Sequence, residues 1–311
     1  MISFGSDPEF MLIDKRGKYK SAIGIVPGSR DEKHKIGKHD FYFDNVLAEC
    51  AINPGYSKEE VIENFRNCFQ LYAKLVSPYK LVLKAAQKYS KEELQHPAAI
   101  EIGCKREACA YLLDWIEPDE DMFLRTNWRS AGGHVHIGNE TLKESFNRIR
   151  TTRMLDLFLG VPSIYLDCDK STKKRKELYG QAGRFREPSH GLEYRSLGNF
   201  WLCSPDLVRL VYDLVEFTVN FVNNDEDKDF WFIDIEKLND DDFWNEGGNP
   251  VECHKCIGYN ENNLRAAIDE MNKRKAKAFM TIIEKLLPKR CLKAISEAEV
   301  NLGNFYKEWR L

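Results

Sequence analysis

The chain has 311 residues, 43% hydrophobic and 31% charged, a globular composition long enough for one large domain or two. Its net charge of −3 gives no strong pull toward nucleic acid or an anionic membrane, and no apolar run reaches membrane-spanning length. The first residues, Met1-Ile2-Ser3-Phe4-Gly5-Ser6-Asp7, lack a signal peptide's basic and apolar regions, so a cytoplasmic protein is expected.

Residues 2–14 read as a strand, with apolar Ile2, Phe4, Phe10, Leu12 and Ile13 around Asp7-Pro8-Glu9. Residues 24–37 have turn chemistry, and a second strand covers 40–52. Ser57 with Glu60 three residues on makes a capping box for a helix to about Leu75. Residues 81–88 and 98–104 are further candidate strands, and 128–138 is another. A helix is expected over 142–159, stopped by Val161-Pro162. Residues 171–186 carry Lys173, Lys174, Arg175, Lys176, Arg184 and Arg186; by itself this is a solvated basic loop. Residues 191–202 read as a strand. Ser204-Pro205-Asp206 then opens a helix to about Phe221 with a cap, a first-turn proline and a first-turn acid. An acidic, Asn-rich insert over 223–249 precedes helical patterns at 263–287 and 296–309. Residues 1–203 thus read as a strand–helix catalytic part and 204–311 as a mostly helical region packing on it. Nine cysteines are scattered and expected to stay reduced. Cys253-His254-Lys255-Cys256 lacks the second ligand pair of a zinc site and reads as two unligated thiols.

Three predicted strands carry a polar pair at spacing two: Asp7/Glu9, His134/His136 and Glu193/Arg195. A fourth carries Asn45 and Glu49, four apart and so on one face. Each has a bland reading alone: a turn for Asp7-Pro8-Glu9, a cross-strand ion pair for Glu193/Arg195. Together they point to one polar cavity inside a curved antiparallel sheet, because buried charge is costly unless paired or bound to metal. Carboxylates with histidine suit a hard divalent cation, Mg²⁺ or Mn²⁺, and Mg²⁺ among carboxylates suggests phosphate nearby. An arginine next to such a glutamate suits phosphate oxygens. The chain has no GxxxxGK[ST] loop.

The stretches DPEFMLID, DNVLAEC, SAGGHVHIG and GLEYRSLGNFWL, in this order, resemble the phage-type carboxylate–amine ligases, the amidoligase type 2 family of the glutamine synthetase and glutamate–cysteine ligase superfamily. Residues 103–114 follow the family pattern only in part. The resemblance implies an α+β fold: a curved, mainly antiparallel sheet of glutamine-synthetase catalytic type with flanking helices and a helical C-terminal part. It implies Asp7, Glu9, Glu49, His134 and Glu193 as metal ligands. It implies His136 as a contact to the nucleotide phosphates and Arg195 as the arginine on the transferring phosphate. Arg184 and Arg186 match the family's arginine segment. The implied cofactors are ATP with Mg²⁺ or Mn²⁺. The implied reaction joins a carboxylate to an amine through an acyl phosphate. The carboxylate is a small molecule or peptide, a nucleic-acid acceptor stays open, and a phage-encoded enzyme would work in the host cytoplasm.

Two other readings remain at this point. His134, His136 and Glu140 fit part of a cupin metal motif, though the second motif is absent. A non-catalytic nucleotide-binding protein is the other.

Overall fold

In a computed structural model, residues 1–100, 106–117, 126–227 and 260–311 are described. They form a mixed, mostly antiparallel α+β structure. Strands β1 (Ser3–Ser6), β2 (Glu9–Ile13), β3 (Tyr19–Lys20), β4 (His34–Ile36), β5 (His39–Asp44), β6 (Leu47–Gly55) and β7 (Lys80–Val82) come from the first third. β8 (Ala86–Lys88) and β11 (Trp128–Ser130) make a separate small sheet. β9 (Glu107–Cys109), β10 (Asp114–Ile116), β12 (Val135–Gly138), β13 (Arg184–Arg186) and β14 (Gly191–Tyr194) complete the large one. Its order is β10-β9-β13-β14-β12-β1-β6-β2-β3, with β5 also on β6, β4 on β5 and β7 on β2.

The expected strand over 2–14 breaks in two at Asp7-Pro8, because proline offers no ladder N–H. The nine-residue β6 bridges the break. Its C-terminal half pairs with β1, at Phe4↔Gly55 and Ser6↔Ile52, and its N-terminal half with β2, at Glu9↔Glu49. The expected strand over 40–52 is a hairpin instead. Asn45 and Val46 form its two-residue turn, with Asn45 in the left-handed region at φ 56°. Asn45 therefore does not share a strand face with Glu49. Its amide donates to Ala99 O at 2.7 Å, and its oxygen accepts from Arg129 Nε at 2.9 Å. The strand expected over 98–104 is also absent where described: 97–99 is a 3-10 turn, and 101–105 lie outside the described residues. Residues 128–138 divide between two sheets, with Ala131 to His134 as the link.

Helix α1 (Lys58–Leu75) starts at the predicted cap, with the return bond of the box shifted one residue back. Ser57 Oγ accepts from Glu60 N, and Glu60 Oε2 from Tyr56 N. Its buried stripe, Val61, Ile62, Phe65, Phe69 and Tyr72, covers β6. The helix expected over 142–159 does not stop at Val161-Pro162. α2 (Ser145–Leu155) passes through a π turn (Asp156–Gly160) into α3 (Val161–Leu166). Pro162 directly follows the π turn, where the regular i→i+4 ladder is already interrupted. Inside the basic segment, α4 (Thr172–Leu178) buries Arg175 and Lys176, so these two are core rather than a solvated loop.

Ser204 caps α5 (Pro205–Asn223) as expected, its Oγ accepting from Leu207 N. The pattern over 263–287 is two helices, α6 (Glu261–Asp269) and α7 (Lys273–Leu286). Asn272 caps the second through Arg274 N and Lys275 N. α8 (Lys289–Glu297) follows, and of the last expected stretch, 296–309, only its first two residues, in α8, and Phe305–Trp309 (α9) are α-helical. Phe305 and Trp309 lie against Phe10 and Phe69, and Trp309 Nε1 donates to Leu202 O at 2.7 Å. Cys253, Cys256 and most of the acidic insert lie outside the described residues. No described helix is long and apolar enough to cross a membrane.

Candidate functional site

The contiguous strands β13, β14, β12, β1, β6 and β2 bring the sequence-predicted side chains to one place. Register aligns Arg186 with Glu193, Glu193 with His136, and His136 with Gly5. Antiparallel partners share a face, so Arg186, Glu193 and His136 form one polar row. Gly5 offers no side chain beyond it. Asp7, freed from the ladder at the Pro8 break, turns into the row. Its Oδ1 is 3.1 Å from His134 Nδ1 and 3.1 Å from His136 Nε2. His134 Nδ1 is 3.7 Å from Glu193 Oε1. Asp7, His136 and Glu193 each offer one ligand atom within 4.8 Å of the others. Gly132 makes room for this ring: a Cβ there would lie 2.4 Å from His134 Nε2.

Glu9 and Glu49 face each other across β2 and β6. Glu9 Oε2 accepts from Gly132 N at 2.6 Å, and Glu49 Oε1 from Tyr42 Oη at 2.7 Å. On the other flank Arg195 is buried between Glu193 and Glu107, its Nε 2.9 Å from Glu107 Oε2. Arg184 lies 3.5 Å from Glu107, and Arg186 lies 3.8 Å from Glu193.

The electrostatics are those of crowded anions. Burial, then Asp44 and Asp7, push Glu9 up to about 8. Burial and Asp7 raise Glu193 to about 7, and burial with Asp7, Asp44 and Glu9 raises Glu49 well above the carboxylate range. Asp7 behaves oppositely. Burial opposes its charge, but His136 and His134 hold it well below its ordinary value. Burial and Arg195 lower His134 to about 3, leaving a neutral imidazole. For His136 burial is outweighed by Asp7 and Glu193, and its pKa rises. Mutually raised carboxylates beside a neutral imidazole fit a hard divalent cation, which would supply the missing positive charge.

This crowding carries a stability cost with a pH signature. A carboxyl raised in the folded state binds its proton more tightly there than in the unfolded chain. Its ionisation therefore destabilises the fold as pH rises from the unfolded value, 4.5, to about 8 for Glu9. Glu9→Gln keeps an acceptor for Gly132 N and removes the charge. Without divalent cation, its melting temperature is expected to rise above that of the wild type by an increasing margin from pH 5 to about 8. A margin that is constant across that range, measured by differential scanning fluorimetry, contradicts the crowding.

Four residues of the site escaped the sequence reading. Tyr42 and Asp44 share the face of Glu49 once the Asn45-Val46 turn is recognised, since Tyr42↔Glu49 and Asp44↔Leu47 are partners. Asp44 is 3.9 Å from Arg30, which the 24–37 turn segment carries. Glu107 gives no local signal, and only the β9–β13 pairing brings it to Arg184 and Arg195. Tyr179 lies in the basic segment with its Oη 3.1 Å from His134 Nε2. The cupin reading fails at Glu140. That side chain is 85% exposed at the head of a 3-10 turn and pairs with Lys143 at 2.8 Å.

Residues 125–235 match the family model described as phage phiEco32-like COOH.NH2 ligase-type 2. This is the family that the four motifs resemble. Over these residues, about a third of the chain, the protein is similar to a carboxylate–amine ligase family. The matched segment holds His134, His136, Tyr179, Arg184, Arg186, Glu193 and Arg195, whereas Asp7, Glu9, Glu49 and Glu107 lie outside it. No curated protein matches the chain.

Proposed function

We propose that this protein is an ATP-dependent carboxylate–amine ligase acting through an acyl phosphate, with a catalytic sheet of the glutamine-synthetase type. The observation that carries the reading is the meeting of Asp7, Glu9, Glu49, both histidines, Glu193 and Arg195 in one cluster of buried and half-buried side chains, drawn from distant sequence segments. Residues 1–203 are then the catalytic core, and 204–311 a helical region packed on it. Asp7, Glu9, Glu49, His134 and Glu193 hold the divalent cations, Mg²⁺ or Mn²⁺. Bound there, the cations neutralise charge developing on phosphate oxygens.

The substrate carboxylate attacks the γ-phosphorus of ATP, and ADP leaves. The amine then attacks the acyl carbon of the acyl phosphate, loses a proton and expels phosphate. Arg195 lies beside Glu193, where it meets the transferring phosphoryl group, and Arg184 and Arg186 flank it. The raised pKa of His136 suits a contact to nucleotide phosphate, and the neutral ring of His134 suits a metal ligand, although His136 also lies within ligand reach of Asp7 and Glu193. Glu49, His134, Glu193 and Arg195 are buried, which suits an acyl phosphate that water must not consume. The carboxylate is a small molecule or peptide, and the site of action is the cytoplasm, the host's if a phage encodes the chain.

The test has two readouts. MgATP is expected to raise the melting temperature, and neither Mg²⁺ nor ATP alone should match it. Phosphate release from ATP should then appear with one member of a panel of carboxylates and amines. Stabilisation with no release across the panel points instead to a non-catalytic nucleotide-binding protein. No stabilisation overturns the reading. If a nucleic acid supplies the acceptor, its binding falls steeply with salt.

A further inference from the structure

Tyr179 ends α4 and is half-buried, with its ring against two arginines of the site region. The guanidinium of Arg175 is 5.1 Å from the ring centroid and that of Arg195 is 5.0 Å away. The ring meets His134 edge-on at 5.8 Å, and the phenol oxygen is 3.1 Å from His134 Nε2. The other nitrogen of His134 faces the opposite way, toward Asp7 Oδ1 at 3.1 Å and Glu193 Oε1 at 3.7 Å. The imidazole therefore spans a phenol on one side and two carboxylates on the other.

From this geometry we infer that Tyr179 is a positioning residue that holds the His134 ring with Nδ1 facing a divalent cation held with Asp7 and Glu193. The inference rests on the metal-cavity part of the proposed function. A neutral imidazole has one N–H and one lone pair. A cation between the carboxylates needs the lone pair at Nδ1. The proton must then sit on Nε2 and donate to an acceptor, and the phenol oxygen of Tyr179 is within reach to take it. Without a cation the same phenol can turn and donate to Nε2 while Nδ1–H donates to Asp7. A hydroxyl serves both states, which a carbonyl or an ammonium cannot. Partners of this kind hold the ligand ring and tautomer, and their loss typically weakens metal affinity by about 10–100-fold.

Gly132 supports the same arrangement from behind. It leaves the space around His134 Nε2 that any Cβ would fill, so the ring edge stays beside the phenol. The backbone of His134 is held independently, its carbonyl accepting from Ser6 Oγ at 2.7 Å, and its side chain is buried.

The probe is Mn²⁺ alone, titrated by EPR into wild type, Tyr179→Phe, His134→Gln and the double variant. Tyr179→Phe keeps the ring between Arg175 and Arg195 and removes only the hydroxyl, and its melting temperature without metal serves as the folding control. Mn²⁺ binding is expected to weaken about tenfold or more in Tyr179→Phe, and the ¹⁴N modulation of bound Mn²⁺ should change. In the His134→Gln background the same change should cost little, because its effect passes through the histidine. Unchanged affinity and ¹⁴N modulation in Tyr179→Phe overturns the inference, as does an equal loss in both backgrounds. Failure of wild type to bind Mn²⁺ overturns the metal cavity itself, a different result from wild-type binding that Tyr179→Phe leaves intact.

Discussion

Glu193→Ala and Glu9→Ala are each expected to lower ATP turnover by about 10²–10³-fold or more, while the purified protein stays folded. The two glutamates sit at opposite ends of the carboxylate group. Glu193 is in the row with His136 and Arg186, and Glu9 is opposite Glu49. Removing either takes away a negative donor that a divalent cation needs. Loss of Glu193 also removes one of the two carboxylates that hold Arg195, leaving the pull of Glu107, 2.9 Å away, unopposed by it and Arg195 misplaced for a transferring phosphate. The fold should survive, because burial and neighbouring carboxylates already raise both groups against their ionised forms. Truncation relieves that repulsion at the cost of a small polar void. The measurement is phosphate release with the accepting substrates, beside circular dichroism and melting temperature. Wild-type turnover in both variants would sink the metal-cavity model. Loss of turnover with loss of folding would move both residues from chemistry to structure.

The site was legible in the sequence to the extent that its residues lie on strands with a two-residue repeat. His136 and Glu193 follow alternation, and their partnership needs only β12 and β14 to be neighbours. For Asp7 and Glu9 the two-residue spacing gives only part of the reason. Spacing two predicted one shared face, whereas the Pro8 break sends Asp7 to the histidines and leaves Glu9 opposite Glu49. Asn45 was misread because Asp44-Asn45-Val46 looks like continuous strand, although an asparagine able to take positive φ is also a hairpin signal. That single turn hid Asp44 and Tyr42. Glu107 was beyond reach in another way. Its partners Arg184 and Arg195 are set by β9 pairing with β13, a contact far apart in sequence that no local pattern encodes.

The basic segment holds the same lesson in energetic form. A run of lysines and arginines is normally a solvated face, but Arg175 is fully buried and faces backbone instead of carboxylate. Its Nε donates to Ala131 O, and its two terminal nitrogens donate to Ser196 O and Arg195 O, all at 3.0 Å. Ala131 begins the link that carries His134, and Arg195-Ser196 continues the strand that carries Glu193. One planar guanidinium thus ties the two halves of the site together. Gly180, at φ +75°, provides the space, since a Cβ there would lie 2.0 Å from the guanidinium.

Arg175→Met should fill much the same volume and remove all three donors. Lys176 Nζ still reaches Ser196 O at 2.8 Å, but the carbonyls of Ala131 and Arg195 lose this partner. An apolar replacement of a buried ion can be neutral when its partner goes too, yet these partners are backbone carbonyls and remain. At about 1–3 kcal/mol for each of the two buried carbonyls that lose this donor, the loss is about 2–6 kcal/mol. For a chain of this size that corresponds to a fall in melting temperature on the order of 10 °C. Arg175→Lys should fall nearly as far, because an ammonium cannot span three carbonyls with a fixed fork. Both variants should also weaken Mn²⁺ binding, since His134 and Glu193 lose their common brace. A methionine variant that melts within about 2 °C of wild type and binds Mn²⁺ equally well would show that strand pairing alone holds the two halves in place.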